Sequence, residues 1–112
     1  MIASTPGLGM KWNTRSGRDS RVVDRTGWKG FSNYRSIDDR AGVYVFANAA
    51  LQVKYVGKAG GGRLVEEIRS AISRGKAHGA TKVMALYTNS GQKALSLEGY
   101  LKNKYKPPNN EI

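Results

Sequence analysis

The chain has 112 residues, a formal net charge of +11 and a pI near 10.2. This length fits one domain with a single modest core, and the absence of cysteine excludes both a disulfide framework and a cysteine-based zinc site. No apolar run approaches the roughly 18 residues of a membrane span, and no apolar block follows a basic start, so we expect neither an anchor nor a signal peptide. The excess positive charge favours a polyanionic partner, most commonly nucleic acid.

The first 40 residues differ in composition from the rest. Residues 1–10 are small and uncharged and predict a flexible lead. Further along, cations that could neutralise phosphates alternate with aromatic residues that could either stack on bases or pack on the domain. The aromatic residues are Trp12, Trp28, Phe31 and Tyr34. We predict a flexible basic arm over residues 1–40 that binds nucleic acid through Arg15, Arg18, Arg21, Arg25 and Lys29.

A hairpin is predicted where the arm ends. Residues 43–46 are β-branched and aromatic and predict a strand, and residues 51–56 predict a second one. The four residues between them form a plausible turn, so the two strands would pair. Residues 57–62 contain four glycines and predict a loop.

The remainder of the chain alternates helix and strand. Apolar residues at helical spacing predict a helix over residues 64–73, which ends before Gly75. Residues 82–87 predict a third strand, and residues 92–105 a second helix that ends before two prolines. The order β-β-α-β-α predicts a small α+β domain over residues 41–112.

Two short motifs lie in the predicted hairpin. A Gly-Val-Tyr triplet at residues 42–44 is followed, after ten residues, by a Tyr-Val-Gly triplet at residues 55–57 and then by Lys58. Three glycines lead from there to Arg63, which opens the first predicted helix. Backbone amides at a helix start favour phosphate, and an arginine guanidinium can hold a phosphate by two hydrogen bonds.

Glu98 is the most informative acidic residue. It lies inside the apolar stripe of the second predicted helix, four residues after Ala94 and three before Leu101. A carboxylate that faces a core is costly unless it is paired or binds a metal. The alternatives are an edge position from which the side chain reaches water, or a salt bridge to a nearby lysine or arginine. Together with the motifs upstream, Glu98 is a candidate metal ligand.

These features resemble the GIY-YIG nuclease family, which is named for the two triplets. The resemblance covers residues 41–110, where the triplets, a lysine, a helix-opening arginine, a glutamate, a proline and an asparagine occur in the family's order. It implies a small three-stranded antiparallel sheet flanked by helices. It also implies an endonuclease that hydrolyses phosphodiester bonds with Mg²⁺ or Mn²⁺ as cofactor.

The resemblance implies a role for each motif residue. Glu98 would bind the metal ion, and Tyr44 would be the general base that activates water. Tyr55 would orient the water or the phosphate. Lys58 would help to lower the tyrosine pKa, and Arg63 would stabilise the charge that builds on phosphorus.

Two parts of the pattern allow alternatives. Many family members place the arginine slightly further along the chain than Arg63, so Arg69 is a second candidate for the motif arginine, and we expect it to contact the nucleic acid. Many members also carry histidine or tyrosine where this chain has Glu67. Asn109 or Asn110 would tie the last segment to the site, and we expect Asn109 to contact nucleic acid.

The expected substrate is DNA, cleaved with little sequence specificity because only the short basic arm accompanies the nuclease domain. Small nuclease domains of this kind also resemble toxin tips of bacterial competition systems. In that setting the protein would be delivered into a target cell, act in its cytoplasm and be blocked by an acidic immunity protein. The alternatives are an RNase of the same fold and a non-catalytic nucleic-acid-binding module, which would bind with a steep salt dependence but without a metal.

Overall fold

The computed structural model describes residues 9–111, and an antiparallel sheet forms its centre. The strands are β1 (Asp24–Arg25), β2 (Lys29–Gly30), β3 (Gly42–Ala47), β4 (Val53–Ala59) and β5 (Lys82–Tyr87). Their order is β1-β5-β3-β4, and β2 also pairs with β5. Because β4 pairs with β3 alone among these strands, it is an edge strand of the sheet.

Two α-helices and three short 3₁₀ helices complete the described chain. The α-helices are α1 (Leu64–Ser73) and α2 (Gly91–Tyr105), and the 3₁₀ helices are Thr14–Arg18, Phe31–Ser36 and Pro108–Glu111. The Ser90 side chain begins α2 by accepting a hydrogen bond from the Lys93 amide, which satisfies one of the unpaired donors of a helix start. Within residues 9–111, none of the helices is both long and apolar enough to cross a lipid bilayer.

The two α-helices cover opposite faces of the sheet. Alternate side chains of a strand point to opposite faces, so β3 contributes to two cores. Val43 and Val45 pack in a core with α2, whereas Tyr44 and Phe46 pack in a second core with α1. From the helices, the first core receives Ala94, Leu97, Leu101 and Tyr105, and the second receives Leu64, Ile68 and Ala71.

The predicted α+β fold, with a small antiparallel sheet flanked by helices, is confirmed. Every predicted strand and helix is present, but the sheet has five strands rather than three. The two additional strands, β1 and β2, are only two residues long and pair with the second edge of β5. Thr26 continues the pairing beyond β1, because its amide donates to the Ala85 carbonyl and its hydroxyl accepts from the Ala85 amide, each at 3.0 Å.

The described part of the N-terminal segment lies against the sheet. Trp12 is buried and stacks on Tyr105, with ring centroids 5.2 Å apart, and Tyr34 and Ile37 are buried in the core next to α1. Aromatic residues of this segment therefore pack on the domain, which was one of the two alternatives. The predicted flexible lead falls almost entirely on residues 1–8, which lie outside the described residues. The division of the chain at residue 40 stays a prediction.

We predict that Gly57→Ala destabilises the fold. A Cβ atom at this position would come within 2.3 Å of the Tyr44 ring, which is buried and has little room to move. Overpacking of this kind lowers the free energy of unfolding by about 1–3 kcal/mol, and urea denaturation measures the loss.

Gly99→Ala is the matched control for this substitution. A Cβ atom at Gly99 would meet nothing within 4 Å, and the residue lies in α2, where alanine is favoured over glycine by about 1 kcal/mol. We expect this variant to be at least as stable as wild type. Equal stability of Gly57→Ala and wild type would contradict the close packing of Tyr44.

Candidate active site

The two motifs face each other across β3 and β4. In the register of the hairpin, Tyr44 pairs with Gly57 and Gly42 pairs with Ala59. Both glycines permit a close approach: Gly57 lies against the Tyr44 ring, and a Cβ atom at Gly42 would come within 2.5 Å of the Leu86 carbonyl oxygen in β5. The motif glycines thus have packing roles: Gly57 makes room for the Tyr44 ring, and Gly42 lets β3 lie close to β5.

Tyr44 lies inside the core next to α1 and is only 1% exposed. Its hydroxyl donates a hydrogen bond to the backbone carbonyl of Glu67 at 3.4 Å. Burial, helped by the neighbouring Tyr55 and Glu67, raises the pKa of Tyr44 well above its usual value. We expected cations to lower this pKa, so the surroundings of Tyr44 are the opposite of those expected for a general base.

Tyr55 is the more accessible of the two motif tyrosines. It is half-buried on β4, with its ring centroid 6.0 Å from that of Tyr44 and 5.7 Å from that of Phe46. These two rings support one side of Tyr55, while its position on the edge strand leaves part of it exposed to solvent. Of the two phenol groups, that of Tyr55 is therefore the one that a substrate can reach.

Arg63 projects into solvent from the start of α1. Asp39 fixes this turn, since its carbonyl accepts from the Gly62 amide at 3.0 Å and its carboxylate accepts from the Val65 amide at 2.8 Å. Gly62 has a φ of +79°, in the left-handed region that glycine adopts readily. The Arg63 side chain is 62% exposed and makes a 3.3 Å ion pair with Glu67. An exposed pair of this kind contributes little, so a phosphate could replace Glu67 as partner.

Arg69, the alternative arginine, is bound within its own helix. Its guanidinium contacts both carboxylate oxygens of Glu66, and the Nε–Oε1 distance is 3.2 Å. The hydrogen bond to Glu66 raises the pKa of Arg69. Arg63, by contrast, lies at the helix start beside the glycine loop that follows the second motif. This arrangement favours Arg63 over Arg69 as the motif arginine.

Lys58 and Glu98 belong to the other face of the sheet. Val56 packs in the core with α2, and Lys58, two residues further along the same strand, points to that side. Lys58 is exposed, whereas the Glu98 side chain is only 14% exposed and its carboxylate lies 3.7 Å from the Lys102 ammonium. Tyr55 and Lys58 therefore point to opposite faces of β4, and a site that uses both must extend around its edge.

Asn110 marks the middle of this edge. Its side-chain oxygen accepts from the Val56 amide, and its side-chain nitrogen donates to the Val56 carbonyl, each at 2.9 Å. The start of α2 lies nearby, since a Cβ atom at Gly91 would be 3.7 Å from the Cα atom of Gly60 in the glycine loop. The C-terminal segment and the two α-helices thus meet around the edge strand β4.

Asn109, which we expected to contact nucleic acid, is buried instead. Its amide nitrogen donates to the carbonyls of Lys76 and His78, each at 2.8 Å. Both amide hydrogens are used in these bonds, so none is left for a phosphate. The adjacent Asn110 is the residue that contacts the motif strand. The sequence could not separate the two asparagines, because two neighbouring residues after a pair of prolines give no periodic signal.

The predicted phosphate contacts of the N-terminal segment differ in accessibility. Arg21 is held by a 2.8 Å ion pair with Asp19, which lowers the pKa of that carboxyl, and by a 2.8 Å hydrogen bond to Ser96. This arginine therefore ties the segment to α2. Lys29 is half-buried in β2. The remaining candidates, Arg15, Arg18 and Arg25, are exposed.

The donor set suits only a metal ion that needs few protein ligands. Within residues 9–111, no group of three or more histidine, aspartate or glutamate side chains could hold a metal. Glu98 would then be a single carboxylate ligand at the boundary between the core and solvent. Mg²⁺ commonly keeps several waters and takes one or two carboxylates together with substrate phosphates, so Glu98 fits this ion.

Comparison with known proteins gives matches among solved structures. No family model and no curated protein sequence matches the chain. The GIY-YIG N-terminal endonuclease domain of UvrC from Thermotoga maritima, bound to its catalytic divalent cation, magnesium, is 25% identical, with a TM-score of 0.60. The match covers 70% of this chain and 91% of that domain. The chain has the GIY-YIG fold.

A point mutant of the same Thermotoga maritima domain, also bound to its catalytic divalent cation, gives a similar result. It is 25% identical to this chain, with a TM-score of 0.59, and the match covers 70% of this chain and 90% of the mutant. The resemblance to the GIY-YIG family that the two triplets indicated is therefore confirmed.

We predict that Asn110→Ala exposes the edge of the GIY-YIG hairpin. The substitution removes both hydrogen bonds to Val56. We expect the Val56 amide to exchange about fivefold faster, because one net hydrogen bond contributes about 1 kcal/mol. Hydrogen exchange followed by NMR measures the change.

Asn103→Ala serves as control, since this asparagine is exposed in α2. Protection of the Val56 amide should match wild type in that variant. If Asn110→Ala also left this protection unchanged, the link between the C-terminal segment and the strand would not contribute to stability in solution.

Proposed function

We propose that the protein is a divalent-metal-dependent endonuclease that hydrolyses phosphodiester bonds of DNA with little sequence specificity. The observation that carries this proposal is the arrangement around β4, where the accessible Tyr55 and Lys58 lie on opposite faces of an edge strand next to the helix of Glu98. The GIY-YIG fold supports it, since the similar UvrC domain from Thermotoga maritima is an endonuclease domain bound to its catalytic magnesium ion.

Glu98 is the residue that we assign to the metal. Its carboxylate is mostly shielded from solvent, and its ion pair with Lys102 is long, at 3.7 Å. Such a weakly held carboxylate can exchange its partner for a cation. When bound, Mg²⁺ or Mn²⁺ supplies positive charge to a phosphate oxygen of the scissile bond.

We assign proton transfer to Tyr55 rather than to Tyr44. The Tyr44 hydroxyl is buried, its proton is donated to the Glu67 carbonyl, and its raised pKa opposes the phenolate form. Tyr55 is half-exposed and is supported by the Tyr44 ring behind it. In this proposal the phenolate form of Tyr55 takes the proton of the attacking water and becomes the neutral phenol. Tyr44 positions Tyr55, and Lys58 provides positive charge at the same edge.

Arginine side chains would hold the phosphates of the strand. Arg63 gives up its exposed pair with Glu67 and forms two hydrogen bonds to the phosphate under attack, where fixed positive charge stabilises the transition state. Arg15, Arg18 and Arg25 are exposed and would contact phosphates further away. Contacts to phosphates position a nucleic acid without reading its bases, which supports low sequence specificity.

A role as an antibacterial toxin domain stays a prediction. The net charge of +11 is the property that an acidic immunity protein would complement. Expression of the chain in a bacterium, with and without Glu98→Gln, would test toxicity directly.

We predict that the protein nicks supercoiled plasmid DNA with Mg²⁺ and that EDTA abolishes the reaction. Glu98→Gln should lower the rate by about 100-fold or more, because it removes the charge that holds the metal but keeps the shape of the side chain. Conversion of supercoiled to open-circular plasmid on agarose gels measures the rate.

Glu66→Gln is the matched control, because this glutamate is exposed on α1 and pairs with Arg69. We expect it to retain nearly full activity. Nicking by Glu98→Gln at the wild-type rate would remove Glu98 from the site. If wild type left the plasmid intact, cleavage of single-stranded RNA would indicate the RNase alternative, and salt-sensitive binding without cleavage would indicate a binding module.

We predict different losses for the two motif tyrosines. Tyr55→Phe should lower the nicking rate by about 100-fold or more, the scale of general acid–base catalysis. Tyr44→Phe should cost less than about tenfold, because it removes one buried hydroxyl, whose hydrogen bond to the Glu67 carbonyl is long, and keeps the ring. Single-turnover rates with saturating enzyme measure both variants. The reverse ranking would return the role of general base to Tyr44.

A further inference from the structure

A cleft of about 300 Å³ lies between the N-terminal segment and the sheet. None of the residues assigned to metal binding, proton transfer or the motif arginine lines it. Trp12, Leu51 and Met84 contribute its apolar part, and Trp28 lies beside Trp12. The volume is at the lower end of the range of about 300–1,000 Å³ found for small-molecule sites, so it suits one planar group rather than a large ligand.

Two tryptophans give the cleft flat aromatic surfaces. Trp12 is fixed in the core by its stacking on Tyr105. Trp28 packs edge-on against Trp12, with ring centroids 6.0 Å apart and planes at 89°, and remains half-exposed. A half-exposed indole that a buried indole holds in place is a preorganised surface on which a planar group can stack.

The charged residues of the cleft are both arginines. Arg18 and Arg25 line it and are exposed. The stem of Arg25 runs over Gly17, since a Cβ atom at Gly17 would lie 3.4 Å from the Cδ atom of Arg25. The Arg25 guanidinium also donates a long hydrogen bond, of 3.4 Å, to the Gly17 carbonyl. No carboxylate lines the cleft in the part of the chain that the structure describes.

We propose that this cleft binds one unpaired base of a nucleic-acid strand. The base would stack on Trp28, while Arg18 and Arg25 hold the phosphates on either side of it. A base inside a duplex is covered by its neighbours and cannot enter, so the occupant is single-stranded or locally opened. This inference rests on the proposed function, because it names the form of nucleic acid that the protein holds.

The position of the cleft connects it with the candidate active site. Trp12 and Met84 belong to the same core as the apolar face of α2, and α2 carries Glu98. A strand anchored in the cleft would therefore lie on the same side of the sheet as the proposed metal ligand. The N-terminal segment would then select unpaired strands rather than only add positive charge.

The test compares two single-stranded DNA oligonucleotides by fluorescence anisotropy in EDTA, which prevents metal-dependent cleavage. One is intact, and the other has the same phosphates but abasic sites at its central positions. We expect wild type to bind the intact strand about tenfold more tightly, because stacking on an aromatic side chain contributes on this scale for each base. Equal affinity for both strands would overturn the inference.

Variants at Trp28 then locate the effect. Trp28→Ala should lower the affinity for the intact strand to that for the abasic strand, whereas Trp28→Phe should keep most of the difference. The affinity of Trp28→Ala for the abasic strand should stay at the wild-type level, which controls for folding. An equal loss with both strands would overturn the stacking role and show that Trp28 only supports the fold.

The same experiment separates this inference from the proposed function. If wild type bound neither strand, the cleft would be overturned, and plasmid nicking would decide the proposed function independently. If wild type nicked plasmid DNA but bound both strands equally, only the cleft would be overturned.

Discussion

The ring of Tyr44 lies directly on Gly57, and the hairpin, α1 and the candidate site all depend on this contact. The glycine lets β3 and β4 pair while a tyrosine ring occupies the space beside them. The hydroxyl of the same ring reaches the carbonyl of Glu67 and so links the hairpin to α1. The ring also supports Tyr55, and α1 begins at the turn that carries Arg63. A single packed pair therefore sets the positions of groups on two different elements.

Much of this fold could be predicted because its main elements have strong local patterns. Residues 43–46 of β3 are a run of β-branched and aromatic residues, and α1 shows apolar residues at helical period. The strands β1 and β2 could not be predicted, since two-residue strands have no period. They form only because β5 offers a second edge, and Thr26 completes their pairing with its side chain.

The candidate site was predictable in its residue types but not in their accessibility. The two triplets identify the tyrosines, yet their spacing does not show which one is exposed. Exposure depends on which strand lies inside the sheet, and this places Tyr44 in the core and Tyr55 on an edge strand. Which of the two asparagines, Asn109 or Asn110, contacts the motif strand has the same origin, because it depends on how the last turn meets β4.

An edge strand presents unpaired backbone groups to other chains, and proteins usually protect such strands from intermolecular sheet formation. The bonds from Asn110 to Val56 provide such protection, because the side-chain amide copies the donor and acceptor of a peptide group. Residues 10–12 cover the beginning of the same edge, since the Met10 carbonyl accepts from the Val53 amide and the Trp12 amide donates to the Leu51 carbonyl, each at 2.8 Å. The asparagine thus satisfies the strand beside Tyr55 and Lys58 without a further strand, and so limits self-association through this edge.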